Sequence, residues 1–253
     1  MRAGWICVGI FLAASWAAGA QQSAAVAPYD VVSIRPHKLG TQMKFSQGSS
    51  NGFRFPGFTV QGMVKMAYDL ALDSQVENMP RWANTERYDF EAKMVDEEKI
   101  AAKKHEPRAL ERQRIRMILE DRCRLKAHTE TRVETVYELV LAKGGLKLKG
   151  VPATNFTSSN SAEGKLEEHG ALMSGLAYML SRELLQLVVD KTGLGNKQYD
   201  LTLTWTPESR AQAGEAGPTL FTALEEQLGL KLVATKAPVE VVVVDHIEKP
   251  SEN

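Results

Sequence analysis

Cysteine is nearly absent from this chain. Cys7 and Cys123 are its two, and Cys7 falls inside an apolar run at the N-terminus. Once that run is removed, Cys123 has no intramolecular partner, so stability must come from packing rather than from disulfides. Cys123 closes an amphipathic helix with no His or Lys placed to lower its pKa. It is therefore expected to act as a small core hydrophobe and not as a reactive thiol. Net charge is also missing, with 31 basic and 31 acidic residues. That balance leaves no electrostatic footprint for nucleic acid, and the basic stretch from Lys103 to Arg116 is interleaved with Glu106 and Glu111, as on a solvated helix face. Beyond the first 20 residues no run approaches the ~20 apolar residues of a membrane span. The five histidines, His37, His105, His128, His169 and His246, are scattered singly, without a His-Glu-x-x-His or paired-Cys spacing.

What is present begins with an address. Arg2, the apolar run from Trp5 to Ala18 and the small residues Ala18-Gly19-Ala20 form a secretory signal peptide, with cleavage expected after Ala20. No Leu-x-x-Cys arrangement marks a lipoprotein. A soluble periplasmic or secreted protein is expected, without an integral membrane segment after cleavage.

The second half of the chain repeats the packing pattern of the first. Leu119-Glu120-Asp121-Arg122-Cys123-Arg124-Leu125-Lys126 lies over Leu224-Glu225-Glu226-Gln227-Leu228-Gly229-Leu230-Lys231 at an offset of 105 (119 to 224). Arg87-Tyr88-Asp89-Phe90-Glu91 lies over Gln198-Tyr199-Asp200-Leu201-Thr202 at 111, and Val60-Gln61-Gly62-Met63 over Met173-Ser174-Gly175-Leu176 at 113. Met63, Met66, Ala67 and Leu70 have helical spacing, as do Leu220, Leu224 and Leu228, a helix that Gly229 stops. Tyr88, Phe90 and Ala92 alternate with polar residues as in a half-buried strand. Leu125–Leu141 and Lys231–Ile247 read as hairpins, the first turning near Glu130 to Glu134.

Each half is thus expected to run strand, helix, strand, then helix and β-hairpin, an internally duplicated α+β design with mainly antiparallel sheet. Residues 1–20 are the signal peptide, 21–149 the first unit with its N-terminal strand, 150–164 a linker rich in Ser, Asn, Thr and Ala, and 165–253 the second unit. Val241-Val242-Val243-Val244 is expected in a sheet interior. Whether the units share one sheet or form two lobes stays open.

Several motifs invite a chemical reading. Gly48-Ser49-Ser50-Asn51-Gly52 matches G-x-S-x-G, yet Phe53-Arg54-Phe55-Pro56 follows where a nucleophile elbow requires a helix, so a glycine-rich turn is expected. Asp190-Lys191-Thr192-Gly193 is similar to the phosphorylated-aspartate loop of P-type ATPases, but Leu194 replaces its second Thr, and a turn is again expected. Asp245 and His246 are adjacent on a strand and point to opposite faces. Asn155-Phe156-Thr157 fits a glycosylation sequon whose meaning depends on the host. Trp82, Tyr68 and Tyr178 are expected in or beside the core, with a groove lining as the alternative. No catalytic, cofactor-binding or metal-ligating residue is assigned, and no cofactor is implied.

Tyr29-Asp30-Val31-Val32-Ser33-Ile34-Arg35-Pro36, Arg87-Tyr88-Asp89, Val188-Val189-Asp190-Lys191-Thr192-Gly193-Leu194, Tyr199-Asp200 and the closing Val239 to Asn253, with its run Asp245 to Asn253, resemble the secreted "soil-associated" family. That family is expanded in acidobacteria and carries a domain of unknown function. The resemblance implies an exported bacterial protein without an established activity. Related domains occur attached to membrane-embedded metallopeptidase modules of the antirepressor kind, which implies sensing or interaction outside the cytoplasm. The order of elements is also similar to the small periplasmic domains of secretins and TonB-dependent transducers, a topological likeness. A non-enzymatic binding module with an envelope protein or peptide partner is the leading expectation. An envelope hydrolase assembled from distant segments, around Ser50 or His246, is the rival.

Overall fold

The computed structural model describes residues 28–38, 40, 46–49, 51–103, 107–153 and 158–251. The leader with Cys7, Ser50, His105 and the 155–157 sequon lie outside the described residues. The strands are β1 Val31–Pro36, β2 Ser46–Ser49, β3 Gly52–Thr59, β4 Val76–Glu77, β5 Arg87–Lys93 and β6 Lys126–Leu141. They continue as β7 Gly150–Val151, β8 Ser158–Ala162, β9 Lys165–Ala171, β10 Val188–Asp190, β11 Gln198–Thr204 and β12 Leu230–His246. The helices are α1 Val60–Tyr68, α2 Arg81–Thr85, α3 Glu97–Lys103, α4 Arg108–Cys123, α5 Met173–Leu184, α6 Glu208–Gln212 and α7 Leu220–Ala223, the last continuing through a wider turn over Leu224–Leu228.

Three four-stranded sheets result, in the orders β1-β5-β3-β2, β10-β6-β12-β4 and β7-β11-β9-β8. The outer two are wholly antiparallel, whereas in the central one β6 and β12 pair antiparallel and β10 and β4 add in parallel at its edges. Mixed helix and antiparallel-rich sheet makes this an α+β fold. The element order β3-α1-β4-β5-α4-β6 recurs as β9-α5-β10-β11-α7-β12.

Pairing registers keep the sequence offsets. Phe53↔Ala92 and Phe58↔Tyr88 in the first sheet are matched by Leu166↔Leu203 and Tyr199↔Ala171 in the third. In the central sheet Val76↔Val242 is matched by Val188↔Tyr137. The central sheet takes β4 and β6 from the first half of the chain and β10 and β12 from the second, while each of the other sheets draws on one half alone.

The expected hairpins are not formed. Each segment is one long strand, β6 or β12, and the two pair with each other along their length, Val133 opposite Pro238. The physical reason is local: Glu130–Glu134 holds no Asn-Gly, Asp-Gly or Gly-Gly to turn the chain, and its Thr and Val favour extension. Pro238 costs no ladder bond because its missing N–H would face away from β6. Residues 150–164, expected as a linker, carry the edge strands β7 and β8. The side chains of β8 are all exposed, so a strand there needs no apolar alternation, and its Ser/Asn composition conceals it.

Elsewhere burial follows the apolar pattern. Val60, Met63, Val64 and Ala67 of α1 are fully buried, as are Met173 and Leu176 of α5. The Thr59 hydroxyl accepts from Gly62 N at 3.0 Å and caps α1. One core gathers α1, α4 and the first sheet, a second gathers α5, α7 and the third, and the central sheet contributes Val242 and Val244 to one and Leu230 and Leu232 to the other. A smaller cluster of Val136, Val239, Val241 and Val243 lies on the opposite face of the central sheet. Valines 241–244 are thus buried on both faces, as expected for a strand inside its sheet. Burial of each such side chain contributes about 1.5–3 kcal/mol.

Candidate functional site

Residue spacing places one set of side chains around a cleft between the two halves. On β3, Phe53 and Phe55 share a face because strand side chains alternate, and their rings stack with centroids 5.0 Å apart. A bulge between Phe55 and Phe58 shifts the register and brings Phe58 beside them, its ring centroid 5.5 Å from that of Phe55. The Phe58 ring lies across α1 at Gly62, where a Cβ would stand 2.8 Å from it. The glycine makes that close approach possible.

Two helices complete the walls. Arg108 and Arg112 are four residues apart on α4, and Tyr178 and Arg182 are four apart on α5, so each pair shares a helix face. All four line a cleft of about 670 Å³ whose floor includes Phe53, Phe55, Phe58, Met66 and Ile115. An adjoining cavity of about 510 Å³ shares Asp69, Arg108, Arg112 and Tyr178 with it and extends to Ser181 and Asp190.

The charges around the cleft are unevenly satisfied. Lys65 Nζ pairs with Asp73 at 2.5 Å and Arg112 with Asp69 at 2.9 Å. Glu111 accepts the Tyr29 hydroxyl at 2.5 Å and lies 3.5 Å from Lys103 Nζ and 3.7 Å from Arg114. Arg87 donates to Gly57 O at 2.8 Å. Arg108 and Arg182 are exposed and make no ion pair among the described residues. The cleft therefore combines an apolar aromatic floor with a cationic rim, an arrangement suited to binding an anion-bearing apolar group.

The residues weighed from sequence are dispersed. Tyr178 is 40% exposed and lines the cleft. Tyr68 and Trp82 pack against the first core, and the Arg116 guanidinium sits 5.3 Å above the Tyr68 ring. Burial raises the Tyr68 hydroxyl pKa, against the opposing pull of Arg116. Asp245 binds His128 Nδ1 at 2.9 Å, while His246 binds Glu248 at 3.0 Å, so the adjacent pair is split as strand geometry requires. His37 binds Asp89 at 2.6 Å and His169 lies 3.6 Å from Asp200. Asp190 accepts from Thr192 N and Oγ1 at 2.9 and 2.7 Å, the self-contained turn expected there. Cys123 is fully buried, and burial pushes its thiol up to about 12. Among the described residues no group of three or more His, Cys, Asp or Glu is placed to hold a metal ion. The cleft arginines and Phe55 and Phe58 escaped the sequence reading. Their one signal was the four-residue spacing on α4 and α5, which charged surface helices also show.

No helix among the described residues is long and apolar enough to cross a membrane. Neither the curated proteins nor the solved structures provide a match to this chain. The family model described as "Protein of unknown function (DUF3738)" matches residues 61–247, well over half of the sequence, and the chain belongs to that family.

Proposed function

We propose that this is an exported bacterial binding module, acting in the periplasm or outside the cell, whose internally duplicated scaffold offers the inter-half cleft to a peptide or other envelope ligand. The observation that carries the reading is the cleft itself: three neighbouring phenylalanines from one half face Tyr178 and Arg182 from the other, with Arg108 at the rim making no ion pair among the described residues. Ligand sites form preferentially at such interfaces, with an apolar lining and a few orienting polar groups. The signal-peptide pattern and the closing run Asp245 to Asn253 support export and a place in the secreted soil-associated family. The matched registers and recurring element order support duplication.

The test joins export to binding. Residues 1–28 fused to alkaline phosphatase, an enzyme that needs disulfides formed outside the cytoplasm, should yield active phosphatase. Envelope peptides should raise the unfolding temperature of the processed chain, but not that of its Phe58→Ala, Tyr178→Ala double variant. An inactive fusion would refute export. Turnover of a substrate that is lost in Ser50→Ala or His246→Ala would replace binding by hydrolysis.

A further inference from the structure

We infer that the cleft selects an aromatic carboxylate, its aryl ring laid on Phe55 and Phe58 and its carboxylate held by Arg108 and Arg182, an assignment that rests on the binding role proposed above. The rings of Phe53 and Phe55 stack at 5.0 Å and Phe58 lies tilted 5.5 Å from Phe55, within the spacing at which a further ring is accommodated. Phe53 is buried beneath them, whereas Phe55 and Phe58 retain exposed surface toward the cleft.

Charge complementarity supplies the second half of the ligand. The lining acids are committed: Asp73 to Lys65, Asp69 to Arg112, and Glu111 to the Tyr29 hydroxyl. Arg108 and Arg182 remain without a counter-ion among the described residues. Arg108 is moreover the first residue of α4, where the positive end of the helix disfavours a cation. A bound anion offsets both charges, and a carboxylate matches the planar guanidinium fork.

The other half shows that the combination occurs once. Under the matched registers Phe55 and Phe58 correspond to Glu168 and Ala171, while Tyr178 and Arg182 correspond to Lys65 and Asp69. The second unit therefore has no aryl floor, and its helix supplies the rim for the first. One ligand per chain follows. The volume of about 670 Å³ suits a small molecule or a peptide terminus and not a folded partner.

Calorimetric titration of the purified protein tests this with four probes: N-acetyl-phenylalanine, its amide, 3-phenylpropionate and the peptide Ala-Ala-Ala-Phe with a free C-terminus. The acid should bind one to one and the amide about tenfold more weakly. Arg108→Glu and Arg182→Glu should each weaken the acid by about tenfold or more, while Arg210→Glu, at a site away from the cleft, leaves it unchanged. Tighter binding of the tetrapeptide than of 3-phenylpropionate identifies peptide C-termini as the source of the group, and the reverse order identifies free aryl acids. Acid and amide binding alike, or both arginine variants binding as the native protein does, overturns the assignment. If that happens while Phe58→Ala still abolishes binding, the cleft remains a binding site and only its anion selectivity is wrong. Failure of every probe at millimolar concentration overturns the ligand class. The binding role itself falls only if envelope peptides also stabilise the native chain no more than the Phe58→Ala, Tyr178→Ala variant.

Discussion

The backbone N–H of Gly57 donates to the carboxylate of Asp89 at 2.8 Å and so fixes the bulge in β3. Gly57 has φ 66°, and Gly170 repeats it at φ 66° with its own N–H on Asp200 at 2.9 Å. A left-handed bulge position favours glycine, and the carboxylate satisfies the donor that the ladder loses. Asp89 also takes the His37 ring nitrogen. Asp89→Ala is expected to cost about 1–3 kcal/mol, as hydrogen bonds to charged groups do. Asp200→Ala should cost less, its side chain being 52% exposed against 35% for Asp89. Urea unfolding of the two variants checks the order, and an Asp200 variant more damaged than the Asp89 one would contradict it.

Gln75 makes a different kind of closure. Its Oε1 accepts from Ala71 N and Leu72 N, both at 3.1 Å, and its Nε2 donates to Glu240 O at 3.2 Å on the open edge of β12. Gln186 donates to Thr135 O on the open edge of β6, the matching position in the other half. Buried Gln75 leaves two N–H groups and a carbonyl unsatisfied when truncated, so Gln75→Ala should destabilise by about 2–4 kcal/mol. Gln186→Ala, which frees one exposed carbonyl, should stay within about 1 kcal/mol. Denaturant midpoints at constant slope measure both, and similar losses would show that Gln75 has no closing role.

Sequence periodicity reached the elements whose burial is one-sided. The helix buries Met63 and Ala67 and leaves Met66 half-buried at the cleft, and the strand buries Tyr88, Phe90 and Ala92, because the apolar face there largely coincides with the core face. Periodicity did not reach β4 or β8. β4, two residues long, is held by parallel pairing to distant β12, and β8, with every side chain exposed, pairs with the neighbouring β9, so neither leaves a periodic mark. The hairpin reading of Leu125–Leu141 failed for a related reason. Only the ends of β6 are covered on the face it turns to the two cores, Ala127 by one core and Leu139 by the other, and the largely exposed polar stretch between them interrupts the apolar alternation. The cleft was the least legible part, since Phe58, Arg108 and Arg182 come from three segments that only folding brings together.

His128 gives the chain a titrating contact between its two long strands. Hydrogen bonds from its ring to Asp245 first, and to Glu130 next, raise its pKa above the usual histidine value of 6.5. A raised folded-state pKa means stabilisation that is complete below the unfolded value and lost as the pH rises through the folded one. His128→Asn should therefore be less stable than the native protein near pH 6 and equal to it once the imidazole is neutral in both states. Proton NMR of the ring gives the pKa directly, and a value at or below about 6.5 would remove the effect.

Cys123 tests whether the first core stays closed. The thiol is fully buried and its pKa is pushed up to about 12, so almost no thiolate is present near pH 8. A chain begun at Gln21, whose one cysteine is Cys123, should not react with an aromatic disulfide reagent until denaturant is added, when one thiol per chain appears. Cys123→Ser places a hydroxyl where the sulfur packs and should cost about 1–3 kcal/mol. Fast labelling under native conditions would mean that α4 opens locally.

Arg124 and Gly229 each end a helical segment in the left-handed conformation, φ 52° and 69°. Their surroundings make them respond in opposite ways. Arg124 is exposed and pays the strain of a side chain at positive φ, so Arg124→Gly should stabilise the protein by about 0.5–1 kcal/mol despite the added freedom of the unfolded chain. At Gly229 a Cβ would stand 2.0 Å from the carbonyl oxygen of Gly145, and the neighbouring backbone is tied there by Lys147 N to Leu228 O at 3.0 Å. Gly229→Ala must displace that loop as well as strain its own φ, and should cost about 2–4 kcal/mol. Thermal unfolding of both single variants and of the double variant checks the pair. The sites lie in different cores, so their effects should add within about 0.5 kcal/mol; a Gly229→Ala variant as stable as the native protein would mean that the Gly145 loop moves freely and does not clamp the helix end.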